Sequence, residues 1–200
     1  MSQTGGAGTG ETSITIGLMR HAKSGWDDPQ LADHDRPLNA RGRRDAPRMA
    51  KWLAENRFLP EVILGSTAER VRQTITGLLD VWTHEPCVWT SSTLYLASAG
   101  TLREHLMCEA VLPDGRRPKT VLLIAHNPGI ESLASYWAGG PTRMPTAAVV
   151  IFQCEPLRPE DLTGPCPRRM LALGRPKEID LPPGDEKPIE RQGSPTDEPR

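Results

Sequence analysis

Three short segments of the chain bring arginine and histidine to the ends of apolar runs. "LMRHAKSGW" (18–26) places Arg20 and His21 directly after "SITIGLM" (13–19). "GSTAERVRQT" (65–74) carries Arg70 shortly after an apolar "VIL", and "IAHNPG" (124–129) puts His126 at the tip of the most apolar run. A guanidinium binds phosphate oxygens through two parallel hydrogen bonds, and its charge survives partial burial better than that of lysine. An imidazole held neutral by a hydrogen bond at one nitrogen offers the other as a nucleophile. A second, protonated imidazole stabilises charge on the equatorial oxygens of a phosphoryl transition state. Arg20, His21, Arg70 and His126 therefore suffice for a two-step phosphoryl transfer through a phosphorylated histidine. Each has a structural alternative when taken singly. Arg-His dipeptides are common, Arg70 suits a solvated helix surface, and His126 suits a satisfied core position. Their joint placement at strand ends is what points to chemistry.

The elements that must position these residues alternate along the chain. In "NARGRRDAPRMAKWLAENR" (39–57), Ala46, Met49, Ala50 and Leu53 recur at helical spacing. Pro47 inside that pattern predicts a kink or a late helix start. "EVILGS" (61–66) reads as a strand, followed by a helix near 68–82, a strand near 87–91 and a helix near 99–111. "KTVLLIAH" (119–126) is the clearest buried strand; a helix over 127–139 and a strand over 146–155 follow, with a last short strand in "RMLALG" (169–174). This alternation predicts an α/β fold of three layers, a mostly parallel central sheet with helices on both faces. Ligands of such folds bind at the carboxyl ends of strands, where helix N-termini point free N–H groups. Arg20, His21, His126 and Asn127 all fall there.

The totals narrow the function further. A net charge of −1 gives no reason to expect a nucleic-acid partner. No stretch approaches the roughly 20 apolar residues of a membrane span. The start of the chain lacks the pattern of a signal peptide, so a cytoplasmic protein is expected. The four cysteines, Cys87, Cys108, Cys154 and Cys166, show no CxxC spacing, which indicates neither a zinc site nor a disulfide framework. The N-terminal "GGAGTGET" (5–12) imitates a phosphate-binding loop but carries Glu11 where lysine belongs and precedes the first strand instead of following it. Residues 1–12 and 181–200, rich respectively in glycine and threonine and in proline and charge, read as disordered tails around a single domain at 13–180.

In order and spacing, "LMRHAKSGW", "DHDRPLNARGRRDAPRMAKWL" (33–53), "STAERVRQT" and "LIAHNPGIE" (123–131) resemble the histidine phosphatase superfamily, with its phosphoglycerate-mutase-like fold. Within it the chain is similar to the bacterial SixA-type phosphohistidine phosphatases. "GRPKEI" (174–179) is similar to the family's closing strand and loop. The resemblance implies that His21 is the nucleophile, that Arg20, Arg70 and His126 complete the phosphate pocket, and that no metal or other cofactor takes part. The sequence agrees in offering no tight His/Cys/carboxylate cluster. It further implies that Asp35 and Arg36 brace the loop after the first strand. His34 reads as a loop residue, and His84 and His105 as surface residues.

Two departures from the family pattern bear on activity. Ala22 follows the nucleophile where glycine is usual, a form that SixA-like relatives commonly share. More consequential is the general acid, because "SSTLYLASAG" (91–100), where many members carry Glu or Asp, contains no carboxylate. Glu104 is the next carboxylate downstream, on a helix position that predicts a solvated side chain. An alkoxide leaving group needs a proton in the transition state, whereas phosphohistidine leaves as an imidazole that can be protonated beforehand. The expected activity is thus hydrolysis of phosphohistidine on a protein, or of a small phosphorylated molecule, through a phosphohistidine intermediate. A broad phosphomonoesterase and a non-catalytic phosphate- or phosphoprotein-binding module are the alternatives.

Overall fold

The computed structural model describes residues 13–154 and 168–179. The two expected tails, the loop-like "GGAGTGET" and Cys166 lie outside the described residues. Among the described residues, six strands and four α-helices follow in the order β1 (Ile14–Arg20), α1 (Ala40–Glu55), β2 (Val62–Ser66), α2 (Glu69–Leu79) and β3 (Cys87–Ser91), then α3 (Ala99–Cys108), β4 (Thr120–Ala125), α4 (Gly129–Ala138), β5 (Val149–Cys154) and β6 (Arg168–Gly174). The strands form one sheet in the order β3-β2-β4-β1-β5-β6. β3, β2, β4 and β1 run parallel, β5 is antiparallel to β1, and β6 is antiparallel to β5. The three-layer, mostly parallel architecture expected from the alternation is the observed one.

Period-two side chains split the core between the two faces. Ile16 and Leu18 of β1, with Val121, Leu123 and Ala125 of β4, pack against Leu102 and Leu106 of α3 and Ile130 and Leu133 of α4. Met19, Leu122 and Ile124 pack on the opposite face against Met49 and Leu53 of α1 and Val71 and Leu78 of α2. Pro47 does not delay α1, which is assigned without a break from Ala40 with Asn39 as its N-cap. The buried stripe Ala46, Met49, Ala50 and Leu53 spans the proline on both sides. Burial of that stripe outweighs the roughly 3 kcal/mol a mid-helix proline costs.

The register fixes what meets at the sheet's carboxyl edge. Arg20 of β1 stands opposite Ala125 of β4, so the next residues, His21 and His126, emerge side by side. Gly65 of β2 stands opposite Ile124, which brings Ser66 to the same edge.

Candidate active site

β1 runs one residue further than the apolar run 13–19 suggests, so Arg20 is its last residue and His21 the first beyond it. The His21 N–H donates to the Ala125 carbonyl at 3.1 Å, extending the strand pairing by one residue. Nδ1 of His21 lies 2.7 Å from the Ala22 carbonyl. A carbonyl only accepts, so Nδ1 carries the proton and the lone pair resides on Nε2. The loop holding this ring is fastened from three sides. Ala22 N–H donates to the Thr74 hydroxyl at 3.0 Å. The Ala147 N–H donates to the carbonyls of both Arg20 and His21 at 3.1 Å, from a left-handed backbone with φ of 62°. The α1 N-terminus abuts the loop so closely that a Cβ on Gly42 would lie 2.2 Å from the Lys23 carbonyl oxygen.

His126 faces His21 with ring centroids 5.0 Å apart. Its Nε2 is 2.6 Å from the hydroxyl of Ser66, which is fully buried at the end of β2. Tyr95, in the loop after β3, meets the His126 ring edge-on at 5.3 Å. That loop comes close because position 129 is glycine, where a Cβ would lie 1.9 Å from the Ala97 carbonyl. Arg70 opens α2 and is 4% exposed, a buried cation and no surface charge. Both ends of its fork contact Asp33: one donates to the backbone carbonyl, the other to the carboxylate at 2.9 Å. The Asp33 carboxylate also accepts from Arg36 and, at 2.6 Å, from the Tyr95 hydroxyl.

Arg20 donates from one terminal nitrogen to the Met144 carbonyl at 3.0 Å. Glu131 of α4 anchors that segment by accepting from the Met144 N–H at 2.8 Å and the Asn127 amide at 3.1 Å. Nε of Arg20 and Nδ1 of His126 are buried with no hydrogen-bond partner among the described residues. A buried N–H left unpaired by the protein, as at Arg20 Nε, is costly, and an oxyanion in this cluster would pair it.

The electrostatics follow from burial among cations. Burial pushes His21 down to about 4, and the nearby Arg70 and Arg20 push the same way against the pull of the Ala22 carbonyl. Burial, His21 and the two arginines hold His126 down to about 3. The protonated second histidine expected from the sequence is therefore neutral at pH 7 in this structure. Asp33 is held at about 2, first by the Tyr95 hydroxyl and then by Arg36 and Arg70, against the opposing effect of burial. Tyr95 moves up, through burial and the Asp33 carboxylate.

All four expected residues thus converge. The bracing role falls differently from expectation. Arg36 does brace the loop, donating to the Gly25 carbonyl at 2.8 Å and the Ser24 hydroxyl at 3.1 Å. Its carboxylate partner is Asp33, at 2.6 Å, and not Asp35, which pairs with the His34 ring at 2.9 Å. His34 lies in a single 3₁₀ turn, Asp33–Asp35, and is tied also to the Thr67 hydroxyl. His105 and His84 are both less exposed than the surface residues expected: His105 is held between Thr93 at 2.7 Å and Glu109 at 2.5 Å, and His84 contacts the Pro60 carbonyl at 3.1 Å with its ring tilted against Trp82. Glu104 is exposed on α3. Among the described residues no three His, Cys, Asp or Glu side chains are grouped to hold a metal ion, and no helix is long and apolar enough to cross a membrane.

Comparison with known proteins gives this arrangement its context. Residues 16–91 match the model of the histidine phosphatase superfamily, branch 1, a segment that carries Arg20, His21 and Arg70. An uncharacterized chloroplastic protein of Arabidopsis thaliana is 33% identical over 155 residues, 74% of this chain and 70% of the relative. An uncharacterized protein of Mycobacterium tuberculosis is 38% identical over 118 residues, 58% of this chain and 67% of the relative. The solved structure of the protein histidine phosphatase SixA complexed with tungstate superposes with a TM-score of 0.68 at 21% identity, covering 83% of this chain and 99% of that one. The chain belongs to branch 1 of the histidine phosphatase superfamily, a phosphatase built on a fold shared with SixA.

Proposed function

We propose that the protein hydrolyses phosphohistidine or another phosphoryl group on a good leaving group, and that it does so through a phosphorylated His21. The observation that carries this reading is the hydrogen bond from His21 Nδ1 to the Ala22 carbonyl, which leaves the Nε2 lone pair facing a cluster of cations. Nε2 attacks phosphorus, and the bond to the leaving group breaks with its electron pair departing on that group. Water then attacks the phosphoenzyme, and the P–N pair returns to Nε2 as inorganic phosphate and a proton are released. Arg20 and Arg70 hold the non-bridging oxygens, and His126, whose Nδ1 has no partner among the described residues, adds its charge to theirs once protonated. A bound phosphoryl dianion offsets the cations that hold His126 neutral, so the ring gains a proton on binding. SixA complexed with tungstate, a tetrahedral oxyanion, supports a pocket of this kind.

The leaving-group preference rests on residues 91–100 and on Asp33, neither of which offers the cluster a protonated carboxyl. Residues 91–100 supply none, and Asp33, which touches Arg70 and Tyr95, is ionised at pH 7. Cytoplasmic function on a phosphorylated protein or small molecule, with no metal, fits this reading.

His21→Ala tests it. Turnover should fall at least ~10²-fold, the usual cost of a lost catalytic group. Acid-labile ³²P should label the wild type and not the variant. Wild-type labelling that persists in His21→Ala would assign the nucleophile elsewhere.

A further inference from the structure

The molecule carries a net charge of −1, yet one cavity of about 360 Å³ is lined by five cations and a single carboxylate. Arg20 forms a wall of this cavity, so it adjoins the catalytic cluster. Lys23, two residues beyond the proposed nucleophile, and Arg41, from the first turn of α1, form another side. Arg175 and Lys177, just after β6, close it together with Glu178. Three distant segments are thus folded onto one pocket. Their approach is enforced, since Gly42 admits the Lys23 backbone against α1 and Arg48 of α1 donates to the Pro176 carbonyl at 2.9 Å.

Part of this charge is already answered. Arg41 pairs with buried Asp45 at 3.1 Å, and Arg175 with Glu178 at 3.1 Å. Lys23 and Lys177 add two further ammonium groups to the lining. Neither Arg70 nor the ionised Asp33 carboxylate held against it lines this cavity. An anionic extension of the substrate is repelled by Asp33 and attracted by Lys23, Arg41, Arg175 and Lys177.

We infer that this cavity is a subsite for a second phosphate, and that the substrates are small molecules with a terminal phosphoanhydride. The inference rests on the proposed His21 mechanism and narrows its substrate class. His21 Nε2 attacks the terminal phosphorus, and the bridging P–O bond breaks with its electron pair left on the bridging oxygen. That oxygen becomes part of the leaving phosphate, which the cavity receives. Such a leaving group has a conjugate-acid pKa of about 6, far below that of an alkoxide's conjugate acid, so it departs without a proton. The missing general acid and the cation-lined cavity then have one explanation.

The test measures kcat/KM for ADP, inorganic pyrophosphate, p-nitrophenyl phosphate and a phosphohistidine peptide, with the intact protein and a Lys23→Gln/Lys177→Gln double variant. The wild type should favour ADP or pyrophosphate over p-nitrophenyl phosphate. The double variant should lower that preference at least tenfold, with an unchanged melting temperature showing that the fold is kept. ADP favoured over pyrophosphate would place a nucleoside on the second phosphate; the reverse order would mean the cavity takes the phosphate alone. A preference unmoved by the double variant overturns the subsite. So does a wild type that hydrolyses p-nitrophenyl phosphate or the phosphohistidine peptide better than both diphosphates. Failure to hydrolyse any of the four would instead overturn the proposed phosphatase function itself, and the subsite with it.

Discussion

Burial among cations gives His21 and His126 a character that their residue type alone does not. An unperturbed histidine titrates near 6.5, whereas these two are held at about 4 and about 3. The neutral ring is the nucleophile, so His21 stays competent well below the usual range. After correction for the substrate's own ionisation, kcat/KM should hold level from pH 7 to 5, and a fall with a midpoint near 6.5 would mean an ordinary, solvated histidine. Stability has the opposite trend with acid. Between pH 6.5 and 4 the unfolded chain binds protons at both rings that the folded chain refuses, so unfolding becomes easier as pH drops through that window. Thermal melts from pH 7 to pH 4 should show it, and the His21→Ala variant should show less of it. Asp33 is the second residue whose environment decides its part. Its carboxylate occupies the Arg70 fork and opposes an incoming phosphate. Asp33→Asn keeps the shape and removes the charge, so inorganic phosphate should inhibit more strongly. Half-exposure of Asp33 keeps the gain to on the order of 1 kcal/mol, roughly fivefold. Weaker inhibition would show that Asp33 orients Arg70 more than it repels the ligand.

At the scale of elements, what the sequence reveals divides along the range of the interactions. The strand "KTVLLIAH", the stripe on α1 and the Arg-His pair are local patterns, and each appears where periodicity puts it. The supports of the site are contacts between residues far apart in the chain. Ser66 and His126 are separated by 60 positions, Asp33 and Tyr95 by 62, and Ala22 and Thr74 by 52. No local signal marks such partners. Asp35 and Asp33 flank His34 equally, and only the fold shows which of them meets Arg36. Gly42 belongs to the same group, since its lack of a side chain matters only because the Lys23 carbonyl lies against it. Gly42→Ala must push the 21–25 loop away from α1 or displace the start of the helix. The expected loss is roughly 1–3 kcal/mol of stability, with a larger fractional loss of activity because His21 sits on the displaced loop. Urea unfolding and kcat on p-nitrophenyl phosphate would measure both; an unchanged kcat would mean that the loop adapts without moving the ring.

The whole molecule brings three strand ends, the start of α2 and the loop after β3 to one edge of the sheet, and the chemistry depends on what that edge omits. Cations and imidazoles are gathered there, and Asp33, the carboxylate held against Arg70, is ionised at neutral pH and has no proton to give. The charge that develops on the leaving atom must then be borne by the leaving group itself. The rate of the first step should therefore depend steeply on leaving-group basicity. Phosphohistidine, aryl phosphates and phosphoanhydrides should react fast, and alkyl phosphates slowly. A chelator should leave this order intact, because the positive charge at phosphorus comes from side chains. Glu104 is the companion test. It is the first carboxylate beyond 91–100 and is exposed on α3, so Glu104→Gln should leave the slope of log kcat/KM against leaving-group pKa unchanged. A shallow slope in the wild type that steepens in Glu104→Gln would identify Glu104 as a proton donor reached by movement of α3. The preference for good leaving groups would then lose its physical basis, and a broad phosphomonoesterase would be the better description of the enzyme.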